Sequence, residues 1–114
     1  MNNKKVDWNN QLTKGMYELA ILLLVSKKAM YGYEITKKLQ QGTGMQLANG
    51  SIYPILRRLT NNGWIESYQE EHEGRSRKYY FSTKEGNRVL VERYEFMEEL
   101  FGFITALKDG EDNV

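Results

Sequence analysis

The sequence contains no cysteine, a single proline and a single histidine among its 114 residues. Without cysteine there is no disulfide scaffold, no thiolate zinc site, no iron–sulfur ligation and no thiol redox switch. With one His and no Cys, only carboxylates remain as metal ligands, which argues against a transition-metal site. Long apolar runs are missing as well. The longest, Leu19–Val25, has seven residues, far from the roughly 20 needed to cross a bilayer. Its polar N-terminal flank carries no secretory pattern. Paired-carboxylate, Ser–His–Asp, P-loop and dinucleotide patterns do not occur. These absences predict a cytoplasmic chain that is not an enzyme, holds no metal or cofactor and does not meet a membrane.

What is present is ordinary in amount but uneven in placement. Hydrophobic residues make up 40% and charged residues 27% of the chain, the balance of a globular domain. The net charge is only +1, yet residues 1–63 carry nine basic and three acidic side chains, and residues 64–114 carry seven basic and twelve acidic ones. A basic half joined to an acidic half suits a protein with one face on a polyanion, although charges that merely decorate wet helix faces give the same count.

Residues 1–10 are polar and aperiodic apart from Val6 and Trp8, which predicts a mobile or docking arm. From Leu12, apolar residues recur at helical spacing through Val25, marking a heavily buried helix that ends near Ser26–Ala29. A short helix over about Tyr33–Gln41 follows, stopped by Gly42 and Gly44. Ile52, Ile55, Leu56 and Leu59 mark a third helix, and Pro54 requires that it begin only a few residues earlier. Trp64–Glu71 and Arg77–Ser82, joined by a turn at 72–76, read as a hairpin. Thr83 then caps a last helix running to Lys108. The fold class is therefore mainly α with a two-stranded β wing: a winged helix-turn-helix over 11–82, a dimerisation helix over 83–108 and a polar tail over 109–114.

Three constellations carry chemistry. The third helix exposes Ser51, Tyr53, Pro54, Arg57, Arg58 and Asn61, preceded by Asn49, with no acidic residue between Met45 and Ile65. Arg for guanine or phosphate, and hydroxyls for phosphate oxygens, are what a major-groove reader needs. The hairpin tip gathers Arg75, Arg77 and Lys78 beside Gly74, a basic loop suited to backbone phosphates or the minor groove. Glu70, Glu71 and Glu73 stand ready to pair with those cations instead. On the last helix, Leu90, Tyr94, Met97, Phe101 and Ile104 form one apolar stripe, and Val89, Phe96, Leu100, Phe103 and Leu107 form a second. Two stripes exceed what a small domain can cover, which predicts self-association. Double-stranded DNA and a second copy of the chain are the expected partners. A winged-helix module that binds another protein is the competing reading.

Four segments in register resemble a known family: Tyr31-Gly32-Tyr33-Glu34-Ile35, Gly50-Ser51-Ile52-Tyr53-Pro54-Ile55-Leu56-Arg57-Arg58-Leu59, Gly63-Trp64-Ile65, and Gly74-Arg75-Ser76-Arg77-Lys78-Tyr79-Tyr80 with Thr83 and Gly86. The chain resembles PadR-type transcriptional regulators over Lys14 to about Leu107, and its single helix after the wing is similar to the short subfamily with multidrug-responsive members. The resemblance implies a dimeric repressor on a palindromic operator, with the third helix in the major groove and the wing tip on flanking backbone. It also implies that the last helix swaps onto the partner's first helix. In the drug-sensing members a pair of tryptophans holds planar cationic aromatics; the matching position here is Met97, and a thioether is not a flat stacking platform. Tyr94, Phe96, Met97, Phe101 and Trp8 are the residues expected at the dimer interface or around a small aromatic or cationic effector.

Overall fold

The computed structural model describes residues 3–48 and 50–110. Helix α1 spans Asn3–Lys27, strand β1 Met30–Tyr31, α2 Gly32–Thr43, α3 Tyr53–Asn61, β2 Ile65–His72, β3 Arg75–Ser82 and α4 Lys84–Lys108. No described helix is long and apolar enough to cross a membrane.

One core joins these elements. Ile21, Leu22 and Val25 of α1 meet Ile35 and Leu39 of α2, Leu56 and Leu59 of α3, and Ile52, Ile65, Tyr80 and Val89 around them. The spacings hold for α2 and α3, but in α1 the face in the core is Tyr17, Ile21, Leu22 and Val25, while Leu12, where the expected stripe begins, is exposed. Pro54 is the second residue of α3, where its missing N–H costs nothing. Gly42 lies inside α2, and it is Gly44 that closes the helix, its N–H donating to the Gln40 carbonyl at 2.8 Å.

The hairpin turns on two residues, Glu73 and Gly74, both with positive φ (52° and 77°). This is the geometry that matches the right-handed twist of the flanking strands. Tyr68 faces Tyr79 across the ladder, and Glu70 faces Arg77. A third strand was not expected: β1 pairs antiparallel with β3, Met30 opposite Tyr80, giving the order β1-β3-β2. Strand β2, with Glu66, Glu70 and Glu71 exposed along it, is therefore the outer edge.

The first helix also corrects the expectation for residues 1–10, because helical structure begins at Asn3. Asn, Lys, Asp and Gln tolerate a helix without forming an apolar stripe, and no proline interrupts them. Trp8 and Leu12 project from this stretch, 63% and 55% exposed.

Helix α4 is seated by its first turn. The Thr83 hydroxyl accepts from the Gly86 N–H at 3.0 Å and donates to the Gly63 carbonyl at 2.7 Å. The Thr83 N–H donates to the Trp64 carbonyl at 3.0 Å. Val89 reaches the core, while Leu100, Phe101, Phe103, Ile104 and Leu107 remain exposed along the rest of the helix.

Candidate functional site

Helix α3 turns Leu56 and Leu59 inward, which leaves Ser51, Tyr53, Pro54 and Arg57 on the outside. Asn49, also expected there, lies outside the described residues. Tyr53 lies against Gly32 at the start of α2, so closely that a Cβ at Gly32 would stand 2.6 Å from the phenol oxygen. Tyr80 of the wing is its other neighbour; burial pushes the Tyr80 phenol up from its ordinary value, and Tyr53 adds to the effect.

Two grooves flank Tyr53. One, between α3 and β3, is lined by Tyr53, Arg57, Thr60, Asn61, Lys78 and Tyr80, with Leu56 at its floor. The other, between α2 and the start of α3, is lined by Gly32, Tyr33, Thr36, Lys37, Gln40, Gly50 and Tyr53. No carboxylate lines either groove. The strip thus offers three cations, Lys37, Arg57 and Lys78, interleaved with hydroxyl and amide groups, the donors that meet phosphate oxygens and base edges. Thr36, Lys37 and Gln40 were not singled out from the sequence. Their signal was the wet face of α2 directly ahead of the third helix.

The three wing cations do not share one face. Side chains alternate along a strand, so Lys78 stands on the Tyr80 side, its Nζ 5.7 Å from that ring, and joins Arg57 in the groove. Arg77 points to the opposite face, 4.5 Å above the Tyr31 ring, beside Tyr79 and Tyr68, which stack with centroids 5.6 Å apart. Arg75 is exposed at the tip. Among the described residues no ion pair joins Arg75, Arg77 or Lys78 to Glu70, Glu71 or Glu73.

Arg58 is exposed on α3, as expected, but its side chain is not free. It reaches back to Glu18 of α1, whose Oε2 accepts from Nε at 2.7 Å and lies 2.6 Å from Nη2. The other oxygen, Oε1, accepts from Nη1 of Arg93 on α4 at 2.7 Å. Burial pushes the Glu18 carboxyl up, and the hydrogen bonds from Arg93 and Arg58, with their charges, outweigh it and hold the group below its ordinary value.

A further groove of about 530 Å³ runs between α1 and α4. Leu12, Met16, Leu19, Phe96, Met97 and Leu100 line it, with Glu92 and Arg93 as its charged groups. Phe96 and Met97 are thus in the place expected of an apolar site. Trp8, Tyr94 and Phe101 are not among its lining residues and stand 63%, 43% and 70% exposed.

The family model of the transcriptional regulator PadR-like family matches residues 21–92, which hold α2, α3, the wing and the first turns of α4. Transcriptional regulator Rv3488 of Mycobacterium tuberculosis is 30% identical over 90 residues, covering 79% of this chain and 83% of that protein. The crystal structure of a PadR family transcriptional regulator from Eggerthella lenta superposes with a TM-score of 0.86 at 26% identity, covering 96% of each chain. A PadR-like transcriptional regulator from Bacillus cereus gives a TM-score of 0.80 at 33% identity, over 89% of this chain and 99% of its own.

Proposed function

This chain belongs to the PadR-like family of transcriptional regulators, which are not enzymes, and from that premise we propose that it is a sequence-specific DNA-binding repressor acting as a homodimer on a palindromic operator. One observation carries the reading: the acid-free strip in which Lys37 of α2, Arg57 of α3 and Lys78 of β3 lie on either side of Tyr53. A duplex presents a continuous line of phosphates, and a surface free of carboxylates meets it without repulsion. Arg57 reads a base edge in the major groove, Tyr53 sets the helix on the backbone, and Arg75 grips flanking phosphates.

A salt series of gel shifts on specific and random duplexes tests this. Arg57→Ala loses about 1–3 kcal/mol on the specific duplex only. Arg75→Ala weakens all duplexes alike and lowers the salt slope by about one. Wild-type behaviour from both variants overturns the orientation.

The dimer forms through α4, whose exposed Phe101, Phe103, Ile104 and Leu107 need a cover. A planar aromatic or cationic effector enters beside Phe96 and Met97, where a flexible thioether repacks around varied rings. Titration with ethidium gives saturable quenching of tryptophan emission that Met97→Glu alters. No response up to the dye's solubility limit means that the interface is closed to ligands.

A further inference from the structure

We propose that Glu18 is a positioning residue for DNA reading, a tether that fixes α3 against α4 and carries the state of the α1–α4 groove to the recognition helix. The proposal rests on the DNA-binding reading above and concerns a residue outside the acid-free strip.

The geometry divides one carboxylate between two helices. Oε2 is held by two nitrogens of Arg58, at 2.7 and 2.6 Å, and Oε1 by one nitrogen of Arg93 at 2.7 Å. The Glu18 side chain is 20% exposed and those of Arg58 and Arg93 54% and 40%, and charge-assisted bonds are shorter and stronger than neutral ones. A shift of α4 relative to α3 must stretch one of these bonds or turn the carboxylate.

Both ends of the tether lie where they matter. Arg93 lines the α1–α4 groove, so whatever fills that groove touches it. Its guanidinium carbon also sits 4.6 Å over the Trp64 ring, and the Trp64 carbonyl holds Thr83 at the base of the wing. Arg58 is the chain neighbour of Arg57, and its side chain is 54% exposed. Bound to Glu18, which it shares with Arg93, Arg58 is partly offset in charge and aimed at α1. Released, it is a mobile cation beside the DNA-reading surface, free to take any phosphate. Specificity is a ratio of affinities, and loss of the tether lowers that ratio from both sides: α3 is less well placed for the operator, and non-specific attraction rises.

The test compares the duplex that wild-type protein enriches from a randomised pool with a shuffled duplex of the same length, across a salt series. Glu18→Gln, which keeps the shape and removes the charge, should cut the affinity ratio about fivefold or more. It should also steepen the salt dependence on the shuffled duplex by about one counterion. Arg93→Met, on α4, should cut the ratio as well but leave the slope unchanged, because Arg58 stays paired; this variant carries the test if Glu18→Gln does not fold. Wild-type ratios and slopes in both variants overturn the proposal. Equal weakening on both duplexes, the mark of simple destabilisation, also overturns it. An effect confined to Glu18→Gln overturns the link to α4. Should wild-type protein itself fail to discriminate between the duplexes, the DNA-binding reading falls and the tether's role with it.

Discussion

A Cβ on Gly86 would sit 2.0 Å from the Trp64 carbonyl oxygen, while one on Gly32 would meet the Tyr53 ring, at 2.6 Å from its hydroxyl. The obstacles differ in kind. The Trp64 carbonyl is backbone, already engaged by the Thr83 N–H, and is pinned at the junction of wing and α4. Tyr53 is 46% exposed and can swing outward. Gly86→Ala is therefore expected to lower unfolding free energy by roughly 1–3 kcal/mol or more, read from urea melts. Gly32→Ala should cost less than about 1 kcal/mol in the same melts while reducing operator affinity, because it moves a side chain of the reading strip. Equal stability losses from the two would show that Tyr53 is held as rigidly as the backbone.

At the scale of elements, strand alternation sorts the wing cations onto different faces. Lys78 shares the groove with Arg57, whereas Arg77 caps the tyrosines on the far face. Lys78→Ala is expected to weaken DNA binding and lower the salt slope by about one. Arg77→Ala should leave that slope unchanged, and a slope lowered equally by both would mean that the strand bends to present both faces. The sequence lists these residues as one basic cluster, and only the strand period separates them. Local signals were enough for α2, α3, the hairpin and α4: apolar spacing, Pro54 near a helix start, Thr83 as a cap. They were not enough for β1, because two residues carry no period and Met30–Tyr31 are a strand only through β3. The start of α1 was hidden for a related reason, since Lys4, Lys5 and Asp7 form a helix without an apolar stripe to announce it. The pairing of Arg58 with Glu18 was hidden because its partner lies 40 residues away, and Arg93 meets the same carboxylate across 75.

For the molecule as a whole, α4 is both part of the core and the principal unmet apolar surface. Val89 packs inside, while Leu100, Phe101, Phe103, Ile104 and Leu107 face out. Sedimentation equilibrium should give twice the chain mass. A chain ending before Val89 loses a core residue and uncovers Leu19 and Met16 of α1, and is expected to aggregate or unfold. A folded, soluble monomer from that truncation would overturn the assignment of α4 as the dimer element. Association through one helix face closes on itself, but a sheet edge invites open-ended growth. Here β2 is that edge, and its unpaired main-chain groups are a template for another strand. In the full antiparallel register of two such strands, Glu66 would face the partner's Glu71 on both sides of the axis, like charges opposed at cross-strand distance. At the other edge β1 offers only two residues. Ribbon growth through β2 is thus disfavoured by its own charges.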